Sequence, residues 1–105
     1  MLKAYVDASP TKLCVLFEDG HKIIRGSTKP HTNNEAEYLA VLQAVIGGAT
    51  EVYSDSQLVV KQLNGEYKVN KPELLYLHNE VLKRSNGKVK FVWVPRENNP
   101  AGGLV

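Results

Sequence analysis

Three acids stand out for where they fall. Asp7 closes an alternating run from Leu2 to Ala8, Asp55 follows the short stretch Glu51-Val52-Tyr53-Ser54, and Glu37 lies near the start of a segment with helical spacing. If the first and fourth strands are parallel neighbours, Asp7 and Asp55 lie side by side at the carboxyl edge of the sheet, where open α/β sheets bind ligands. A helix entering over that edge adds Glu37. Three converging carboxylates repel one another unless protons or a divalent cation lie among them. The donors are hard oxygens with no Cys or His cluster, a set that suits Mg²⁺ or Mn²⁺ rather than zinc. Such sites typically serve phosphoryl transfer.

Each acid also has a plainer reading. Glu37 stands three residues after Asn34, and Glu35 three after Thr32, so either pair meets the spacing of a capping box. Asp55-Ser56 suits a helix N-cap. Asp7 is harder to explain this way, because a buried, unpaired acid at the end of a central strand is costly.

The elements that must position these residues follow from periodicity. Lys12 to Phe17 is an apolar run of strand length, and Glu18-Asp19-Gly20 turns it into a further strand over His21 to Thr28. Three strands joined by short turns pair antiparallel. The helix that begins at Thr32 carries Leu39, Ala40, Leu42, Val45 and Ile46 at helical spacing and delivers the chain to a fourth strand, parallel to the first. Ser56 to Leu63 is helical, another helix starts at Pro72, and Asn86-Gly87 turns the chain into a last alternating strand, Lys88 to Val94. The pattern predicts an α/β fold with a five-stranded mixed sheet in the order 3-2-1-4-5, flanked by helices. Trp93, Tyr5 and Tyr53 read as core, while His21, His31 and His78 read as solvated.

The 105 residues, 43% of them hydrophobic, suffice for one core, so residues 1–105 read as a single domain. One cysteine, Cys14, allows no internal disulfide. No apolar run has the length of a signal peptide or membrane span, which places the expected compartment in the cytoplasm with no membrane partner. The net charge of +2 admits nucleic acid as a partner without requiring it. Nothing in the sequence identifies a protein partner.

Four segments carry a resemblance: Asp7-Ala8-Ser9, Thr32 to Tyr38, Tyr53 to Gln57, and Val92 to Asn99. In order and spacing they resemble the successive signatures of the type 1 ribonuclease H family, across nearly the whole chain. The resemblance implies a divalent-metal-dependent endonuclease that hydrolyses the RNA strand of RNA–DNA hybrids, with Asp7, Glu37 and Asp55 as catalytic metal ligands for Mg²⁺ or Mn²⁺. It also implies that Ser9, Asn33, Asn34 and Gln57 bind the hybrid. Neutral side chains of this kind can tell a 2′-hydroxyl from hydrogen.

The chain departs from the family pattern at the fourth carboxylate. The family places an Asp after an Ala near the start of a last helix, and the matching pair here is Ala101-Gly102. In the family's two-ion scheme that late carboxylate helps hold the second ion, so the resemblance predicts a weakened second ion and a last helix that is truncated or missing. The rival expectation is a non-catalytic module of the same fold that binds nucleic acid or protein. A third keeps the nuclease chemistry but acts on DNA. Other departures are Ala8 in place of a Gly, no histidine in the loop from Arg96 to Asn99, and only Asn64 to Lys71 where some members carry a basic protrusion. The chain thus resembles the compact bacterial and archaeal-like branch.

Overall fold

The computed structural model describes residues 1–104; Val105, the last residue of the expected domain, lies outside them. Among the described residues five strands form one sheet: β1 (Lys3–Ser9), β2 (Lys12–Phe17), β3 (Lys22–Gly26), β4 (Glu51–Ser54) and β5 (Lys90–Trp93). Their order is β3-β2-β1-β4-β5, with β1–β2 and β2–β3 antiparallel and β1–β4 and β4–β5 parallel. This is the 3-2-1-4-5 sheet expected from the pattern. Helices α1 (Asn33–Ile46), α2 (Gln57–Leu63) and α3 (Pro72–Ser85) complete it. Among the described residues no helix is long and apolar enough to cross a membrane.

Helix α1 starts sharply because Thr32 caps it. The Glu35 amide donates to Thr32 Oγ1 at 3.1 Å, and the Thr32 amide donates to Glu35 Oε1 at 3.1 Å. The helix then buries Ala36, Tyr38, Ala40, Val41, Ala44 and Val45 in a core shared with Ala4, Val6, Val15, Phe17 and Val52 from the sheet. It ends at Gly47, where a side chain would collide with Phe17: a Cβ there would lie 2.6 Å from the ring. At its own end α3 turns through Asn86 in the left-handed region (φ 49°) and Gly87 (φ 71°).

Several details differ from the sequence reading. The strand from Lys3 does not stop at Asp7 but runs on to Ser9, because Asp7, Ala8 and Ser9 still pair with Cys14, Leu13 and Lys12 of β2. Its ladder with β4, however, ends at Val6 opposite Ser54. The aromatic expectations also fail. Trp93 is 41% exposed, and Tyr5 and Tyr53 are half-buried register partners whose rings stack 5.0 Å apart. Alternation along β1 sends Ala4 and Val6 to the core, so Tyr5 faces away from it. His31 and His78 are half-buried rather than solvated: the His78 ring lies edge-on to Tyr38, and its Nε2 lies 3.1 Å from the Gln62 carbonyl.

After β5 the chain makes two 3-10 turns, Arg96–Asn98 and Pro100–Leu104. The second reaches back to β1 and β2, with Ala101 fully buried.

Candidate active site

The parallel register sets Val6 level with Ser54, so the next residue on each strand, Asp7 and Asp55, emerges at the same level. Glu37 reaches them from the first turns of α1. One carboxylate oxygen from each of the three acids can be chosen so that all lie within 4.8 Å of one another. The cleft above them, about 290 Å³, is lined by Asp7, Ala8, Ser9, Pro10, Asn33, Asn34, Glu37, Asp55, Ser56 and Arg96. The structure therefore brings together all three sequence-predicted acids with Ser9, Asn33 and Asn34. Gln57, at the exposed start of α2, is not among the lining residues.

The plainer readings resolve on geometry. The capping box is Thr32 with Glu35, which leaves Glu37 free to enter the cleft. The N-cap of α2 is Ser56, whose hydroxyl accepts from the Val59 amide at 3.3 Å, so Asp55 is not the capping residue.

Burial governs the electrostatics. Glu37 is 5% exposed, and its pKa is pushed up to about 8, chiefly by burial, with the charges of Asp7 and Asp55 adding to the rise and a hydrogen bond from Ser54 opposing it. Asp7, 4% exposed, is also raised, first by burial and then by Asp55, against the lowering effects of the Ala8 amide and Arg96. Two buried acids that resist ionisation beside a third carboxylate are the setting a divalent cation relieves, since it can take the place of protons. The all-oxygen donor set fits Mg²⁺ or Mn²⁺.

Hydrogen bonds hold these acids. The Ala8 amide donates to Asp7 Oδ1 at 2.9 Å, and the Ser54 hydroxyl donates to Glu37 Oε1 at 2.7 Å. The Ser56 amide donates to Ser54 Oγ at 3.0 Å, which orients that hydroxyl. Sequence reasoning missed Ser54 and Arg96. Arg96 had a signal, a cation just past the last parallel strand. Ser54 had only its place beside Asp55. Gly102 stands where the sequence placed the missing acid: a Cβ on it would lie 3.4 Å from Asp7 Oδ2.

A sheet of this order, with acids at the carboxyl ends of its first and fourth strands, defines a ribonuclease H-like fold. The family described as "Reverse transcriptase-like" matches residues 15–102, and the chain belongs to it, as a domain of the type 1 ribonuclease H kind. The chain is 42% identical over 76 residues to "Bifunctional protein Rv2228c" of Mycobacterium tuberculosis, and equally to "Uncharacterized protein Mb2253c" of Mycobacterium bovis. These alignments take in 65% of the chain and 21% of either relative, so the chain spans about a fifth of their length.

Among solved structures it is similar to LC11-RNase H1, isolated from compost by a metagenomic approach, in complex with an RNA/DNA hybrid. That match has a TM-score of 0.84 at 28% identity and covers 100% of this chain and 94% of the other. It is likewise similar to RNase H1 of the halophilic archaeon Halobacterium salinarum NRC-1 (TM-score 0.75, 30% identity, 98% and 92% covered). A third match is the N-terminal RNase H domain of Rv2228c (TM-score 0.68, 29% identity, 94% and 86% covered).

Proposed function

We propose that this chain is a divalent-metal-dependent, cytoplasmic endonuclease that hydrolyses the RNA strand of RNA–DNA hybrids, carried by one domain that spans it. The observation that carries the reading is the meeting of Asp7, Glu37 and Asp55 at one sheet edge, within 4.8 Å. Similarity to LC11-RNase H1, solved on an RNA/DNA hybrid, supports the choice of substrate.

Asp7, Glu37 and Asp55 would hold Mg²⁺ or Mn²⁺. Bound there, the metal supplies activation of water and stabilisation of the leaving oxygen. The rest is the work of the chain. The Ala8 amide and the Ser54 hydroxyl each fix one oxygen of a buried acid, so the carboxylates need no reorganisation on binding. Ser9, Asn33 and Asn34 line the same cleft as neutral hydrogen-bonding groups for sugar hydroxyls and base edges, while Arg96 offers its guanidinium to a phosphate. Gln57 contributes from the exposed start of α2.

Gly102 favours a second reading. Beside Asp7 Oδ2, where a fourth carboxylate would complete the set, there is only a glycine, as suits a module that binds hybrid without cutting it. Incubation with end-labelled RNA–DNA hybrid, duplex RNA and duplex DNA, in Mg²⁺ and in Mn²⁺, separates the readings. Cleavage confined to the RNA of the hybrid, faster in Mn²⁺ and abolished by Asp55→Asn, is the expected result. Hybrid binding without cleavage in either metal supports the binding module, and cleavage of duplex DNA overturns the substrate assignment.

A further inference from the structure

Beside the cleft lies a buried amide that the proposed chemistry leaves without a role. Asn99 joins the two 3-10 turns and is 6% exposed. It occupies the point where β1 and β4 part, since their ladder ends at Val6 opposite Ser54 while the two acids emerge one residue further on. Its Nδ2 donates to the Val6 carbonyl at 2.8 Å and to Asp55 Oδ2 at 3.2 Å, and its Oδ1 accepts from the Ala101 amide at 3.1 Å. These partners fix which way the amide points. Turned over, it would set Oδ1 against two oxygen acceptors and its NH₂ against an N–H donor.

The three acids are then treated alike. Asp7 has Oδ1 held by the Ala8 amide, Glu37 has Oε1 held by the Ser54 hydroxyl, and Asp55 has Oδ2 held by Asn99. In each case one oxygen is tied and the other is left for a ligand. Asp55 depends most on its tie: it is the least buried of the three, and among the described residues no other hydrogen bond reaches its carboxylate.

We propose that Asn99 is a positioning residue of this site, orienting the Asp55 carboxylate toward a bound divalent cation while it pins the final turn, with Gly102, against the end of β1. This rests on the reading of Asp7, Glu37 and Asp55 as metal ligands. Groups that orient metal ligands are typically worth ten- to a hundredfold in metal affinity.

Calorimetric titration of Mg²⁺ and Mn²⁺ into the full chain, Asn99→Ala and Asn99→Ser tests it. Serine can still accept from the Ala101 amide but is too short to span Val6 and Asp55, so it separates the capping of the turn from the orienting of the acid. The expected result is a metal dissociation constant raised at least tenfold in both variants, with Asn99→Ser retaining a cooperative thermal transition. Affinity within twofold of the unsubstituted chain in folded Asn99→Ser overturns the inference alone. No metal binding by the unsubstituted chain overturns the reading of the three acids, and this inference with it.

Should neither variant fold, the unsubstituted protein decides by NMR. The side-chain amide protons of Asn99 should shift as Mg²⁺ is added, in step with the Asp55 backbone amide. A static Asn99 signal beside a shifting Asp55 refutes the proposal.

Discussion

Glu37 holds its proton because its surroundings cannot solvate the charge, and that has a consequence for stability. Its pKa is raised from 4.5 to about 8, so between those values the folded chain binds a proton that the unfolded chain has released. Metal-free stability is therefore full below about pH 4.5 and is lost as pH rises through about 8, by an amount on the order of a few kcal/mol. The raised Asp7 adds in the same direction. Thermal unfolding in chelator should show a midpoint that falls from pH 5 to pH 9. Glu37→Gln, neutral and able to keep the Ser54 bond, should flatten the curve, and an unchanged slope would contradict the assignment. Metal affinity should rise over the same range, since the cation must displace the proton. Gly102 makes the complementary case. It does not lie in the left-handed region, and a Cβ there has room at 3.4 Å from Asp7 Oδ2, so the backbone tolerates an acid. Gly102→Asp should raise hybrid cleavage in Mg²⁺ at least tenfold, about 1.4 kcal/mol of barrier. A rate unchanged by the added carboxylate would place the limitation elsewhere.

At the scale of elements, α1 is what joins core to chemistry, and its start is set by two residues. Thr32→Ala removes the hydroxyl that accepts from the Glu35 amide and should cost about 1 kcal/mol, read as a lower midpoint in denaturant with an unchanged slope. The sequence could indicate that a capping box was present but not which pair forms it, because Thr32/Glu35 and Asn34/Glu37 satisfy the same spacing. Burial decides: Glu35 is only half-buried at the helix start, whereas Glu37 is buried on the core side. The sheet order was legible because short turns force antiparallel pairing and a helical crossover returns a parallel strand. The aromatic residues were not. Tyr5 and Tyr53 occupy the face of β1 and β4 turned away from the core, and Trp93 lies open with its indole donating to the Asp55 carbonyl at 3.1 Å. A period of two identifies a strand but does not say which face a helix will cover. Asn99 was invisible for a related reason: its three partners lie in β1, after β4 and in the last turn, and only the closed fold assembles them.

For the whole molecule the question is how a chain of net charge +2 grips a polyanion. Thirteen lysines and arginines are nearly balanced by eleven acids, and no block of like charge stands out. Arg96 lines the cleft itself, and Lys68 and Lys71 line a neighbouring hollow of about 310 Å³ that shares Asn34 with it. Those three cations are placed to meet phosphates beside the three acids. Each phosphate contact releases counterions, steepening the fall of log affinity with log salt by roughly 0.7 to 0.9. Three contacts thus predict a slope of magnitude roughly 2 to 3 for hybrid binding in chelator, and weak binding at physiological salt. Lys68→Ala and Lys71→Ala should each lower the slope by about 1 without changing the preference for hybrid over duplex DNA, since phosphate contacts position but do not specify. A measured slope near 10 would mean that the lysines of α3 and the sheet edge also touch the hybrid, and that the binding surface extends well beyond the cleft.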